Sequence, residues 1–368
     1  MLLHLLINEK VTRRTIYLFE AIFPQQNYFV CTREGLCGSI QKEDPVVYYV
    51  NGHLTENIDF DKIKAVLIHY LTPESISFVD KYIPEGVPVY WFMWGGDFYP
   101  LLGDKGYGFY SQPIFAGKRY LFKSYILSKI NWLSTNTKRT LGFIQKRVSH
   151  CMTTREELEL CQRYYPAAFK GKKLVDGFTY YCLETVLKDL KDCRVSGNYI
   201  LVGNSSSISN NHKYAFNYLK SLDLKGRTIV APLNYNGTEK YRNNVITMGR
   251  RYFGVNFKPL LNFLPLEEYN KVLLSSTISV FASWRQEAWG NIQILLYMGS
   301  KVFMSEKSPL YQNLKRSGFV IFSLESVTDF DLRAMREEDI MTNRRLLEQH
   351  YSLLSQNEYI NRIFGVYI

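Results

Sequence analysis

Short, wholly apolar runs alternate with stretches of helical periodicity along this chain, and they do so in two series. Runs at 1–7, 27–31, 46–50, 65–69 and 89–94 make the first. After a further run at 148–154 and an irregular stretch near 166–198, a second series opens at Tyr199-Ile200-Leu201-Val202-Gly203 and continues at 227–231, 278–283, 301–304 and 319–322. Between the later runs lie helical patterns such as 212–222 and 266–275. Runs apolar throughout are what parallel strands covered by helices on both faces look like. The expected fold is therefore α/β, with two Rossmann-like domains facing a central cleft. The first is expected over 1–180 and the second over 199–345, with 346–368 a C-terminal helix packing back towards the first domain. A length of 368 residues exceeds one ordinary core, and 46% hydrophobic residues allow each domain its own.

Composition narrows the class. No apolar run reaches the roughly 18 residues that span a bilayer, and Met1-Leu2-Leu3-His4-Leu5-Leu6-Ile7 lacks the basic start of a secretory signal, so a cytoplasmic chain is expected. The cysteines at 31, 37, 151, 161, 182 and 193 form no Cys-x-x-Cys pair and have no histidine at metal-ligand spacing, which reads as reduced thiols. Neither a metal nor another cofactor is expected.

The net charge of +11 is concentrated. Between 104 and 147, basic residues including Lys118, Arg119 and Lys123 face a single acid, Asp104, and are interleaved with aromatic and aliphatic side chains. That mixture suits the anionic inner face of a cell membrane; a solvated amphipathic hairpin packed on its own domain is the plainer alternative. Zinc-finger spacing, aromatic RNA-binding strands and basic heptads are absent from the sequence, so nucleic acid is not expected as a partner.

Three loops carry candidate chemistry. The run Val89-Tyr90-Trp91-Phe92-Met93-Trp94 ends in Gly95-Gly96-Asp97. In open α/β sheets ligands bind beyond the carboxyl ends of strands, and paired glycines let a backbone approach them closely. Asp97 there is either a catalytic carboxylate or the residue that tightens the turn. His69 follows another strand and is a second candidate base, its ordinary pKa near ~6.5 already suited to the work; its alternative role is a core histidine. In the second series, Gly203-Asn204-Ser205-Ser206-Ser207 joins a strand to a helix expected near Ser209 or Asn210, and Ser283-Trp284-Arg285-Gln286-Glu287-Ala288-Trp289-Gly290-Asn291 does the same further on. Such junctions either cradle a phosphate on free backbone amides or use Gly, Asn and Ser only to turn. Arg285 adds a fork donor suited to a diphosphate, and Gly290 with Asn291 would start the following helix.

Taken in order, His4-Leu5, His69, Trp94-Gly95-Gly96-Asp97 with Tyr99, Arg147-Val148 with Thr154-Arg155, Leu201-Val202-Gly203-Asn204-Ser205 with His212, Pro232 with Tyr235, and Arg285-Gln286 with Gly290 resemble glycosyltransferase family 56, of the B-type (GT-B) fold. The known activity of that family is transfer of 4-acetamido-4,6-dideoxygalactose from its TDP form to a polyprenyl-diphosphate-linked saccharide. The resemblance implies a metal-independent transferase of bacterial surface polysaccharide synthesis, peripheral on the inner face of the membrane. Its partners would be a TDP- or UDP-type sugar and a lipid-linked saccharide.

The two loops and the resemblance together give an expected donor site of Gly203, Asn204, Ser205, Pro232, Tyr235, Arg285, Gln286, Gly290 and Asn291. Asp97 or His69, each just after a strand of the first domain, is expected in the catalytic role, with His4, Trp94, Gly95, Gly96 and Tyr99 along the acceptor side. Glu287-Ala288-Trp289-Gly290 is similar to the Glu-Gly-Phe-Gly motif of other nucleotide-sugar enzymes of this fold. Leu295 stands where those enzymes carry a second acid, so their retaining mechanism does not carry over. Two alternatives share the architecture: a nucleotide-sugar 2-epimerase, which needs no basic patch, and a silent protein bound at a membrane surface.

Overall fold

The central apolar runs become strands whose alternate residues enter two different cores, as burial on both faces requires. In the computed structural model the described residues are 1–35, 38–103 and 135–368. Most of the 104–147 segment, including Lys118, Arg119 and Lys123, lies outside them, as does Cys37. The described residues form two units: 1–35, 38–103, 135–180 and 354–368 make the first, and 181–353 the second.

The first unit holds strands β1 (Leu2–Asn8), β2 (Asn27–Glu34), β3 (Val46–Val50), β4 (His53–Leu54), β5 (Ala65–His69), β6 (Val89–Phe92), β7 (Val148–Met152) and β8 (Lys173–Val175). Their order is β4-β3-β2-β1-β5-β6-β7-β8, parallel except for the β3–β4 pair. From β1, Leu3 and Leu5 enter one core with Ile76, Phe78 and Val79 of the helix Pro73–Tyr82. Leu2 and Leu6 enter the opposite core with Ile16 and Phe19 of the helix Thr12–Ile22. Strand order reverses between β1 and β5, and that places a crevice-forming junction at Asn8 and His69.

The second unit repeats the plan with β9 (Tyr199–Val202), β10 (Thr228–Pro232), β11 (Phe257–Leu260), β12 (Ser276–Phe281), β13 (Lys301–Met304) and β14 (Phe322–Ser323). Their order is β11-β10-β9-β12-β13-β14, all parallel, with the reversal between β9 and β12. Ile200 and Val202 pack with Phe216 and Leu219 of the helix His212–Leu219. Leu201 packs with Ile292 and Leu295 of the helix Trp289–Met298 on the other face.

The single helix expected over 346–368 is two helices, Glu337–Tyr351 and Leu353–Phe364, broken where Ser352 is extended at φ −66° and ψ 157°. The earlier one belongs to the second unit, so no boundary falls at 345. The later one belongs to the first, where Phe364 is fully buried with ring centroids 5.8 Å from Phe19 and 4.9 Å from Tyr90. Phe364→Ala should lower the unfolding free energy by roughly 3–5 kcal/mol in urea denaturation, as a cavity at a buried aromatic does. A loss under about 1 kcal/mol would show that this helix does not belong to the core.

Candidate functional site

In the second unit the two candidate anion loops, 80 residues apart in sequence between Gly203 and Ser283, leave adjacent strands side by side at the reversal point. Gly203 has φ +69°, and a Cβ there would stand 2.6 Å from Asn210 Oδ1 and 3.0 Å from His212 Nε2, so no other residue fits. The space it leaves is used by Asn210. That side chain accepts a hydrogen bond from the Asn204 amide at 2.8 Å, donates to Ser205 Oγ at 3.1 Å, and donates to Glu287 Oε2 at 3.3 Å across to the second loop. The helix expected at Ser209 or Asn210 starts later. A short 3₁₀ turn spans Ile208–Asn210, Asn211 is left-handed at φ +50°, and the helix runs His212–Leu219. Asn211 donates to the carbonyl of Ala282, tying the turn to the end of β12 at 3.1 Å.

Arg285 is not an idle fork. Its Nε donates to Glu287 Oε1 and its Nη2 to Ser209 Oγ at 2.8 Å, so its charge is matched by a carboxylate and its plane is fixed between the loops. Ala288 follows at φ +62°, a conformation disfavoured for alanine, and turns the chain into the helix Trp289–Met298. Gly290 is the second residue of that helix and lies against Tyr181, whose ring would be 3.7 Å from a Cβ there. Asn291 donates to Tyr269 at 2.9 Å. Tyr235, after β10, receives a hydrogen bond from Asn204 at 3.0 Å, whereas Pro232 is buried in β10 paired with Leu260. Gly203, Asn204, Ser205, Tyr235 and Arg285 thus belong to one bonded cluster; Pro232, Gly290 and Asn291 surround it without bonding into it, and Gln286 lies half-buried between Arg285 and Glu287.

In the first unit, His4 and His69 form a buried relay. Asn27 directs its amide nitrogen to Glu20 and to the carbonyls of Phe19 and Phe23, which leaves its oxygen to accept from His4 Nε2 at 3.1 Å. Burial holds the His4 imidazole neutral, with its pKa lowered to about 3, so His4 Nδ1 accepts from His69 Nε2 at 3.1 Å. His69 is likewise held well below its ordinary value by burial, and its Nδ1 accepts from the Tyr180 hydroxyl at 2.6 Å. Tyr180 in turn accepts from the Trp94 indole at 3.0 Å. One donor direction runs through the whole chain from Trp94 to Asn27. His4 therefore sits in the core and does not line a ligand surface, and both nitrogens of His69 are engaged inside the protein.

Asp97 closes the turn after β6. Oδ1 accepts from the Trp94 amide at 3.0 Å, while Oδ2 accepts from the Trp91 indole at 2.7 Å and the Leu71 amide at 3.0 Å. Burial nevertheless pushes its pKa up to about 6, against the lowering effect of those donors. Tyr99 is buried, and its hydroxyl donates to Glu157 at 2.9 Å, so it is a support beneath the turn and not part of the acceptor side. Glu157 is the residue that sequence reasoning missed. Fully buried, bonded also to Thr153 at 2.6 Å and raised by burial to about 7, it looks in sequence like the third residue of a helix capped by Thr154, which it also is. Among the described residues no group of three or more His, Cys, Asp or Glu side chains could hold a metal, and no helix is long and apolar enough to cross a membrane.

A family model described as 4-alpha-L-fucosyltransferase glycosyl transferase group 56 matches residues 135–351, more than half of the chain. The chain belongs to this family. Solved structures place its fold in the GT-B type. HepE from Anabaena, solved with UDP and glucose, aligns with a TM-score of 0.60 at 9% identity, covering 100% of both chains. A UDP-forming α,α-trehalose-phosphate synthase from Burkholderia vietnamiensis gives 0.60 at 10% identity over 99% of this chain and 97% of that one. WaaG, a glycosyltransferase involved in lipopolysaccharide biosynthesis, gives 0.55 at 9% identity over 99% and 100%. This family-56 chain is thus a glycosyltransferase of GT-B fold.

The two carboxyls with raised pKa make its stability depend on pH in a definite sense. A carboxyl whose pKa is raised by folding disfavours the native state when ionised, and that penalty disappears as pH falls below the unfolded value. Between pH 4.5 and 8, the stability of Glu157→Gln relative to the parent chain should therefore shift in the variant's favour by up to ~3 kcal/mol. Urea midpoints at several pH values measure this, and a pH-independent difference would show that Glu157 titrates as an ordinary carboxylate.

Proposed function

We propose that this protein transfers a sugar from a nucleoside-diphosphate donor of the TDP or UDP type to a polyprenyl-diphosphate-linked saccharide, in bacterial surface polysaccharide synthesis. The observation that carries the reading is the pair of strand-to-helix loops cross-linked by Asn210 and Arg285 at the reversal point of the second unit. There, serine hydroxyls and a guanidinium, groups that bind a diphosphate, are brought together at the start of two helices. The structure of HepE with UDP and glucose supports a nucleotide sugar as donor, and the involvement of WaaG in lipopolysaccharide biosynthesis supports a surface-polysaccharide setting. In this reading Arg285, held in position by Glu287, meets the leaving diphosphate, and the growing negative charge is stabilised by fixed dipoles without a metal. The basic and aromatic segment 104–147, with Lys118, Arg119 and Lys123, is assigned to the inner membrane face where a lipid-linked acceptor resides.

The acceptor belongs to the first unit, with Asp97 as general base. Of the two candidates, His69 is sealed in the relay, whereas Asp97 is half-buried and Oδ1 takes only one of its three bonds from other residues. A carboxylate raised to about 6 is still ionised at neutral pH and is a stronger base than an ordinary aspartate.

Two measurements test this. Arg285→Ala should weaken UDP or TDP binding by about 2 kcal/mol in calorimetry, the worth of a charge-assisted bond, and unchanged affinity would remove Arg285 from the donor site. In a pH–rate profile, kcat/KM should fall about tenfold per pH unit below pH 6, where the base becomes protonated; a profile flat down to pH 5 would exclude Asp97.

A further inference from the structure

Tyr70 is the residue after β5, at the reversal point of the first unit, and its backbone stands at φ +83°. For a bulky side chain that is a true outlier, and such conformations persist where surrounding structure imposes them, most often at functional sites. The surroundings here are specific. The Tyr70 ring meets the Trp94 ring edge to face, with centroids 5.6 Å apart and planes at 74°, and Trp94 is braced from behind by Tyr180 at 5.4 Å and 76°. Gly96 makes the arrangement possible, because a Cβ there would lie 2.9 Å from the Tyr70 hydroxyl. That hydroxyl makes no hydrogen bond among the described residues, although Asp97, Arg33 and Glu9 are near enough to act on it electrostatically. Tyr70 and Trp94 are both half-buried, so the corner that their rings make is partly exposed.

A pyranose has a flat face of C–H groups and an edge of hydroxyls, and this corner offers a matching pair of surfaces: aromatic walls for the face, and a free phenol with charged neighbours for the edge. We propose that Tyr70, together with Trp94, seats a sugar ring of the acceptor on the first unit. The relay through Tyr180, His69 and His4 serves to hold Trp94 in its orientation. The assignment rests on the transferase reading above, and it gives the strained backbone at Tyr70 a purpose, since a residue needed only to fill space there would be one that accepts the left-handed region.

Saturation-transfer NMR with N-acetylglucosamine and N-acetylmannosamine as probes tests it, on the parent chain, Tyr70→Phe and Tyr70→Asn. Saturation should reach the ring C–H protons of at least one probe in the parent chain and in Tyr70→Phe, and it should fall about tenfold in Tyr70→Asn, the worth of one aromatic contact. Asparagine tolerates the left-handed backbone, so the urea midpoint of Tyr70→Asn should be no lower than the parent's. Equal saturation in Tyr70→Asn, no saturation of either probe in the parent chain, or a saturation loss accompanied by a clearly lower midpoint would each overturn the proposal. Calorimetry with UDP and TDP on the same samples separates the two levels. If neither nucleotide binds the parent chain, the transferase reading itself fails; if one binds and Tyr70→Asn leaves saturation unchanged, only the role of Tyr70 fails.

Discussion

The second unit depends on one side-chain amide. Asn210 receives the Asn204 amide of the loop after β9 and gives its own hydrogens to Ser205 and to Glu287, joining two loops that lie far apart in sequence. Gly203 is the condition for this bond, because any side chain there would occupy the position of the Asn210 oxygen. Glu287, held by Asn210, in turn orients Arg285, and Arg285 reaches back to Ser209. The donors that could receive a diphosphate are thus fixed before any ligand arrives, which lowers the ordering cost of binding. The same closed cycle gives the pairing of Arg285 with Glu287 a role in the proposed donor site, because the acid fixes the direction of the guanidinium.

Polar groups in the first unit are organised differently. His4, His69 and Tyr180 form a neutral, single-direction chain in the core, and buried polar networks of that kind specify one arrangement when every member is satisfied. Asp97 and Glu157 are the opposite case, carboxylates kept in place by several donors each yet raised in pKa by burial. Both arrangements converge on the Trp94–Asp97 turn, one through the indole of Trp94 and the other through Asp97 itself and Tyr99 beneath it.

Much of the fold was legible in the apolar runs, because a strand buried on both faces leaves no room for polar alternation. Strands that the runs did not reveal lie at sheet edges. β4 and β8 are two and three residues long, and β11 carries Pro259, which an edge strand tolerates. The run expected at 319–322 survives only as the two residues of β14, again at an edge. The two loops of the second unit could be read from Gly203 and Arg285, and Glu287 from its motif, but the bond between Asn210 and Glu287 could not, since it joins one loop to the other. Glu157 was hidden by its place in a capping pattern, and the relay was hidden because nothing in the spacing of His4, His69 and Tyr180 shows that β1, β5 and the segment after β8 bring them within bonding distance. The break at Ser352 had no glycine or proline to announce it.

The central claim is that the Asn210 cross-link builds the nucleotide-sugar site of this glycosyltransferase. Calorimetric titration of UDP and TDP into the parent chain, Asn210→Ala and Asp97→Asn tests it most directly. The account predicts that at least one nucleotide binds the parent chain, that Asn210→Ala weakens this binding by about tenfold or more, and that Asp97→Asn, in the other unit, leaves it unchanged. Binding to Asn210→Ala with the parent's affinity, in a variant whose urea unfolding shows it intact, would contradict the account.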